Sequence, residues 1–174
     1  MQNFFDLYTG DNEIIKSVEN SIPINLLEND NKFSMIVGSN KSGKTSLAKS
    51  YSMLNQANLI FDIPKSLKNL KKTYLDLNSL NLADENLFHF LEYFISQDIG
   101  LTIFTSTDPL NVDENQAIIA DIKSRLSLFN IARIENPNDE LLFKLIQKFL
   151  KNMSITISDN LIYEIMKFID RSYI

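Results

Sequence analysis

One octet of the sequence restricts the possible folds more than any other feature. Residues 38–45 read Gly-Ser-Asn-Lys-Ser-Gly-Lys-Thr and fit the pattern G-x-x-x-x-G-K-[ST]. In this pattern, backbone N–H groups surround phosphate oxygens, the lysine neutralises phosphate charge and the hydroxyl binds Mg²⁺. The predicted phosphate-binding residues are Gly38, Ser39, Asn40, Lys41, Ser42, Gly43, Lys44, Thr45 and Ser46.

The residues on either side of the octet have the pattern that such a loop requires. Residues 33–37 form a short apolar run with β-branched members, which predicts a buried strand. Strand, loop and helix follow one another, so we expect ATP or ADP with Mg²⁺ as ligands rather than a chance match in an ordinary turn. The helix is predicted from apolar side chains at helical spacing after the octet, namely Leu47, Ala48, Tyr51 and Leu54.

Further apolar runs predict the rest of an α/β fold. Residues 58–61, 73–77, 100–105 and 131–135 have strand character, and segments with helical periodicity or turn residues separate them. This alternation predicts a five-stranded parallel sheet with helices on both faces, a three-layer α/β/α architecture. Residues 83–97 predict one of these helices, because acids in the first turn precede a continuous apolar stripe.

The pattern changes after residue 135. Residues 136–139 predict a turn and a helix cap before an amphipathic helix, and Ser158 with Asp159 predicts the start of a second helix that continues through residue 169. No strand is predicted after these helices. We therefore predict a nucleotide-binding core at residues 1–135 and a small helical lid subdomain at residues 136–174.

The composition excludes several classes of function. The chain has no cysteine and a single histidine, which removes disulfides, thiolate catalysis and zinc sites. A net charge of −5 argues against an unaided nucleic-acid binder. No apolar run is long enough to span a membrane, and an early acid replaces the basic start of a signal peptide. We expect a cytoplasmic protein with no membrane contact and no direct DNA-binding domain.

An acid at the end of the third strand run is the expected second magnesium ligand. Asp76 follows the apolar residues 73–75, where a carboxylate and the Thr45 hydroxyl can share the ion. Alternatively, Asp76 is only a turn residue at the strand end. The competing acid Asp62 is expected to end the second strand. Leu77 stands where hydrolytic P-loop proteins usually have another acid, so we expect slow or absent ATP hydrolysis.

Other polar residues have both a functional and an ordinary interpretation. Ser106 and Thr107 follow the fourth strand run, where hydroxyls can contact a γ-phosphate or water, or can simply end the strand in a turn and bond to their own backbone. Arg125 ends a predicted helix and either reaches a neighbouring subunit's nucleotide or is a surface residue. His89 is expected to be structural. Four residues at helical spacing predict a basic stripe, a contact for nucleic acid or an acidic partner, or a solvated face: Lys65, Lys68, Lys71 and Lys72.

Several segments together resemble the replication-initiator branch of the AAA+ ATPases, the DnaA/Hda family, and most of all its Hda-like regulators of the alphaproteobacterial type. The resemblance extends over nearly the whole chain in the right order, and the octet is its most specific part. The other segments that carry it are residues 84–89, 105–106, 121–126, 137–142 and 169–172.

The resemblance implies further roles for individual residues. Arg125 would act in trans on a neighbour's nucleotide, through a DnaA partner or a homo-oligomer, and Ser106 with Thr107 would form the first sensor. Arg171 would be the second sensor, contacting phosphate from the lid. Tyr8 and Gly10 would lie beside the adenine. Hda-like proteins favour ADP, bind the sliding clamp through a short N-terminal motif and stimulate ATP hydrolysis by DnaA.

The sequence also departs from this family in informative ways. The residue after Asp76 is not an acid, which fits a regulator that acts on a partner's nucleotide. Residues 2–7 match the clamp-binding motif only in part. The chain ends soon after Arg171, so the lid is expected to lack its last helix. Two alternatives remain: a small-molecule kinase, which normally has more arginines than the three present here, and a degenerate interaction module.

Overall fold

The computed structural model describes residues 14–29, 31–68, 70–113 and 117–169. Within these residues, five parallel strands form one sheet in the order β2-β3-β4-β1-β5. The predicted five-stranded α/β fold is thereby confirmed. The strands are β1 (Phe33–Gly38), β2 (Asn58–Ile60), β3 (Thr73–Asp76), β4 (Leu101–Thr105) and β5 (Asn130–Ile134).

Helices cover both faces of the sheet. Alternate residues of β1 point to opposite faces, because side chains alternate along a strand. Met35 and Val37 pack in a cluster with α3 and α4, whereas Ile36 packs in a second cluster with α1 and α2. The helices are α1 (Val18–Glu28), α2 (Lys44–Leu54), α3 (Glu85–Ser96), α4 (Ala117–Leu126), α5 (Asp139–Asn152) and α6 (Asp159–Met166).

Helix α1 was not predicted from the sequence, because Pro23 lies inside it. Proline has no backbone N–H, so the carbonyl of Glu19, four residues earlier, lacks its helical partner. That carbonyl instead accepts a hydrogen bond of 3.2 Å from the N–H of Glu135, the residue after β5. The proline therefore frees a carbonyl that ties α1 to the end of the sheet.

Helix α3 begins two residues later than the predicted 83–97 segment, because Asp84 caps it. The Asp84 side chain accepts a hydrogen bond of 2.9 Å from the N–H of Asn86, which satisfies one of the unpaired donors of the first turn. The predicted lysine stripe is wrong as a helical feature. The described residues between β2 and β3 include no helix, so Lys65, Lys68, Lys71 and Lys72 lie in an irregular connection.

The last two described helices share a hydrophobic cluster of their own. Leu142 and Ile146 of α5 pack against Ile162 of α6, apart from the two clusters on the sheet. Asn138 caps α5 by accepting a hydrogen bond of 2.8 Å from the N–H of Leu141. The division into a core at residues 1–135 and a lid at 136–174 stays a prediction. None of the helices in the described ranges is both long and apolar enough to cross a membrane.

Candidate functional site

The strand order brings the polar strand ends together at one edge of the sheet. Strand β1 lies between β4 and β5, so Val37 is opposite both Thr105 and Arg133. Strand β4 in turn borders β3, where Asp76 is opposite Phe104. The octet, Asp76 and the residues after β4 therefore meet at the carboxyl ends of adjacent parallel strands, where open α/β sheets bind their ligands.

The octet forms a tight loop between β1 and α2. Gly43 has a φ of 82°, in the left-handed region, and Lys41 has a φ of 63°. A Cβ atom added to Gly38 would lie 2.4 Å from Oγ of the buried Ser42, so the loop also closes on itself there. Helix α2 begins at Lys44, directly after the turn. Its unpaired N–H groups thus open toward the loop, an arrangement that favours anions.

Lys44 turns its ammonium group back into the loop. Its Nζ donates hydrogen bonds to the backbone oxygens of Gly38 at 2.9 Å and Ser39 at 2.7 Å. The side chain is buried, and burial lowers the pKa of Lys44, while the nearby Asp76 carboxylate partly opposes that shift. A desolvated cation held by neutral carbonyls is a strong point of attraction for a phosphate group.

Thr45 and Asp76 contact each other at the carboxyl ends of the strands. The Thr45 hydroxyl donates a hydrogen bond of 2.6 Å to Oδ2 of Asp76, whose residue surface is only 9% exposed. A hydroxyl and a carboxylate are the hard oxygen ligands that Mg²⁺ prefers, and Mg²⁺ usually keeps waters and phosphate oxygens as its other ligands. The donor set therefore fits magnesium. Asp62, the competing acid, follows the edge strand β2, and the Thr45 hydroxyl donates to Asp76 instead.

Ser106 and Thr107 are engaged by the segment that follows Asp76. The Ser106 hydroxyl and N–H both donate to the carbonyl of Asn78, the N–H at 3.0 Å. The Thr107 hydroxyl accepts a hydrogen bond of 2.8 Å from the N–H of Leu80. Both hydroxyls thus bond to the backbone of the segment after β3 and not to that of their own turn.

Arg125 contacts its own chain at the end of α4. Its Nε donates to Oε2 of Glu92 on α3 at 2.7 Å, and its guanidinium carbon lies 4.1 Å from the centre of the Phe88 ring. A further hydrogen bond of 3.1 Å joins its NH1 group to the carbonyl of Asp121. The guanidinium group therefore fastens α4 to α3 in this conformation.

One ion pair near the site was not predicted from the sequence. Arg133 of β5 donates from Nε and NH2 to Oδ2 of Asp108 after β4, at 3.0 and 2.7 Å. Because β5 and β4 flank β1, the pair spans the carboxyl end of the strand that carries the octet. The sequence feature that could have indicated this ion pair is an arginine within the otherwise apolar run at 131–134.

Some predicted site residues fall outside the part of the chain that the structure describes. These are Tyr8 and Gly10, expected beside the adenine, and Arg171, expected as the second sensor. The segment at residues 2–7, expected to contact the sliding clamp, also lies outside it. Their roles stay predictions.

The sheet order and the glycine loop at the end of β1 define a P-loop α/β fold. Solved structures with this fold include domain III of the Thermotoga maritima replication initiation protein DnaA, which matches with a TM-score of 0.69 and 15% identity over 93% of this chain and 81% of that one. AMPPCP-bound DnaA from Aquifex aeolicus matches with a TM-score of 0.68 and 12% identity over 91% of this chain.

A RuvB variant from Thermotoga maritima has the same fold, with a TM-score of 0.62 and 19% identity over 86% of this chain and 55% of that one. This chain covers 59% of the Aquifex DnaA chain, less than two thirds of that protein. Neither a protein-family model nor a curated protein sequence matches the chain. The comparisons therefore show the fold of this chain.

Proposed function

We propose that the chain binds ADP or ATP at residues 38–45, with Mg²⁺ held by Thr45 and Asp76. The observation that carries this proposal is the hydrogen bond between the Thr45 hydroxyl and the Asp76 carboxylate beside the buried Lys44 ammonium. A lysine, a hydroxyl and a carboxylate converge on one glycine loop, which is the set of groups that a nucleotide phosphate chain and its metal need.

Different groups of the site bind the phosphates and the metal ion. Lys44 exchanges the carbonyls of Gly38 and Ser39 for charged phosphate oxygens, which are stronger acceptors. The N–H groups at the start of α2 bind the same oxygens along the helix dipole. Mg²⁺ held at this site would neutralise phosphate charge. Thr45 and Asp76 orient it through their oxygens.

Hydrolysis by this chain alone is expected to be slow. Leu77, the residue after Asp76, packs partly into the hydrophobic cluster on the α3 side of the sheet, and its N–H donates to Phe104. An aliphatic side chain there cannot orient an attacking water. The bound nucleotide would therefore set the conformation of the protein more than it would be consumed.

The proposed biological role is an Hda-like control of DnaA-dependent replication initiation through protein contacts. The likeness to two DnaA structures, one of them bound to AMPPCP, supports a nucleotide-dependent protein of this kind. In this role Arg125 contributes positive charge to a nucleotide on DnaA or on a second copy of the chain. Arg125 must leave Glu92 and Phe88 to do so, because both now engage its guanidinium group.

Removing the lysine tests nucleotide binding. ADP at about 100 times its dissociation constant should raise the melting temperature of the wild type by roughly 5 to 10 °C, because a ligand that binds only the folded state stabilises it. Lys44→Ala should lose this shift. Lys49→Ala is the matched control, because Lys49 is an exposed lysine of the same helix. Equal shifts in both variants would contradict the proposal.

Replacing the arginine tests the role toward a partner. Arg125→Ala should keep the ADP affinity of the wild type but lose stimulation of ATP hydrolysis by purified DnaA. The reason is that the guanidinium charge that would stabilise the negatively charged transferred phosphate is removed. Arg133→Ala serves as the control, since Arg133 is another arginine paired within its own chain. Stimulation that survives in Arg125→Ala would exclude the trans role while leaving nucleotide binding in place.

A further inference from the structure

A cavity lies at the carboxyl ends of β2 and β3, beyond the candidate nucleotide site. Its volume is about 400 Å³, which is within the range of ligand-binding pockets. Three segments contribute to its lining, namely residues 62–65 after β2, residues 77–81 after β3 and residues 84–87 at the start of α3. The residues proposed to bind the nucleotide and Mg²⁺ are not among them. The cavity is therefore separate from that site.

The buried part of the cavity lining is apolar. Leu80 and Leu87 are 6% and 1% exposed, and both belong to the hydrophobic cluster on the α3 side of the sheet. Ile63 and Leu77 pack against the same cluster and are partly exposed. Because the core fixes these side chains, the lining keeps its shape. An aliphatic chain that enters the cavity leaves water, which favours binding.

Two carboxylates line the same cavity from different segments. Asp62 is exposed after β2, and Asp84 is the N-cap of α3. Asp84 accepts both of its hydrogen bonds from Asn86 through Oδ1, which leaves Oδ2 for another donor. Lys65 also lines the cavity, but within the described residues neither carboxylate forms an ion pair with a lysine or arginine. Two acids and one base therefore attract a cation to the cavity.

An exposed aromatic ring lies next to the cavity in the chain. Phe61, the residue before Asp62, is 50% exposed, and the partly exposed Ile63 and Pro64 follow in the same segment. Aromatic residues are enriched at protein interfaces. A free amine would fill the cavity without covering this ring. A peptide can place one side chain in the cavity and a neighbouring apolar residue on Phe61.

We propose that the cavity is a docking site for a basic segment of a partner protein, in which an arginine or lysine lies next to an apolar residue. The aliphatic part of the basic side chain packs on Leu80 and Leu87, and its cation binds Asp62 and Asp84. The apolar neighbour covers Phe61. The net charge of −5 steers a basic partner toward the protein. Docking does not require bound nucleotide.

Two peptides of the same shape test the need for a cation by calorimetric titration. The probe is acetyl-Leu-Arg-Leu-Arg-Leu-amide, and its control has the neutral isostere citrulline in place of both arginines. The arginine peptide should bind the wild type roughly tenfold more tightly, the difference expected for a hydrogen bond to a charged group. Equal affinities, or no binding of either peptide at millimolar concentration, would overturn the docking site.

A small cation distinguishes a peptide from a free amine as the occupant. Butylguanidine carries the same cation on an aliphatic chain but cannot reach Phe61. It should bind the wild type roughly tenfold more weakly than the arginine peptide, and Phe61→Ala should reduce that difference. Butylguanidine that binds as tightly as the peptide would overturn a peptide partner.

Substitutions in the protein locate the peptide. Asp62→Asn combined with Asp84→Asn should weaken binding of the arginine peptide roughly tenfold, and asparagine still caps α3. Asp98→Asn combined with Asp121→Asn is the matched control, because it removes the same charge from exposed acids outside the cavity. Equal losses in both double variants would show only long-range attraction to an acidic protein and would overturn the docking site.

Lys44→Ala separates this proposal from the proposed function. It should bind the arginine peptide with wild-type affinity, because Lys44 does not line the cavity. Loss of peptide binding in Lys44→Ala would contradict a docking site that is independent of the nucleotide. A wild type that binds ADP but not the peptide would overturn the docking site alone. One that binds the peptide but not ADP would overturn the proposed function alone.

Discussion

Gly43 is the residue at which the loop geometry depends most on the amino-acid type. Its φ of 82° lies in the left-handed region, which residues with a Cβ atom enter only at a cost. The turn at Gly43 lets Lys44 begin α2 and fold its side chain back toward Gly38. The position of the ammonium group therefore depends on a residue that carries no functional group.

Gly43→Ala should lower the free energy of unfolding by about 1 kcal/mol, because alanine is strained at this φ. It should also weaken ADP binding, since the loop must distort. Gly100→Ala is the control, because the nearest atom to its added Cβ is Cγ of the flexible Lys72 side chain at 3.3 Å. Urea unfolding of both variants measures the difference. Gly43→Ala with wild-type stability would show that the loop does not require this turn.

The sequence places Asp76 at the end of a buried strand, where an acid in a P-loop protein has a predictable position, and the structure brings it to Thr45. The partner of each hydroxyl could not be predicted in the same way. Whether Ser106 and Thr107 face a ligand or the backbone depends on the path of residues 78–80, which approach them from a different strand. Contacts between segments this far apart in sequence cannot be predicted from local sequence patterns.

At the scale of the element, α1 is a helix that the hydrophobic periodicity of the sequence does not predict. Pro23 and the polar residues around it argue against a helix, yet α1 forms and buries Ile24 and Leu27 against the sheet. Packing of this apolar face outweighs the unfavourable propensity. The loss of one internal hydrogen bond is offset, because the Glu19 carbonyl bonds to Glu135 instead.

Two isoleucines of α1 allow this interpretation to be tested. Ile24 is 1% exposed and Ile22 is 68% exposed, although they are two residues apart. Ile24→Ala should lower the free energy of unfolding by about 2 to 4 kcal/mol, because it leaves a cavity in the core. Ile22→Ala should change it by less than about 0.5 kcal/mol. Similar losses in denaturant unfolding would mean that α1 does not pack as described.

At the scale of the whole molecule, the sheet was the most predictable part. The central strands β1, β3 and β4 are buried on both faces and appear as short apolar runs. The edge strands β2 and β5 are only partly buried but also have apolar residues, and all five strands were found within about one residue of their ends. The prediction of a helical lysine stripe in the connection after β2 was wrong, because lysines at helical spacing do not by themselves form a helix. Its apolar residues Ile63, Leu67 and Leu70 pack against the cluster on the α3 side of the sheet from an irregular backbone.

The charge of the whole molecule makes the metal important for the proposed function. The net charge is −5, and ATP is itself an anion, so long-range electrostatics oppose binding. Lys44 and the start of α2 supply the local positive field. A divalent ion held by Thr45 and Asp76 would add the remaining attraction, which predicts that affinity for ATP depends on Mg²⁺.

Calorimetric titration of the wild-type protein with ATP, in Mg²⁺ and then in EDTA, tests the central claim most directly. Mg²⁺ should tighten ATP binding by about tenfold or more, equivalent to about 1.4 kcal/mol. Thr45→Val should remove this dependence and Thr45→Ser should retain it, because serine keeps the hydroxyl ligand. No ATP binding at millimolar concentration, or an affinity that is the same in Mg²⁺ and in EDTA, would contradict a nucleotide site built on Lys44, Thr45 and Asp76.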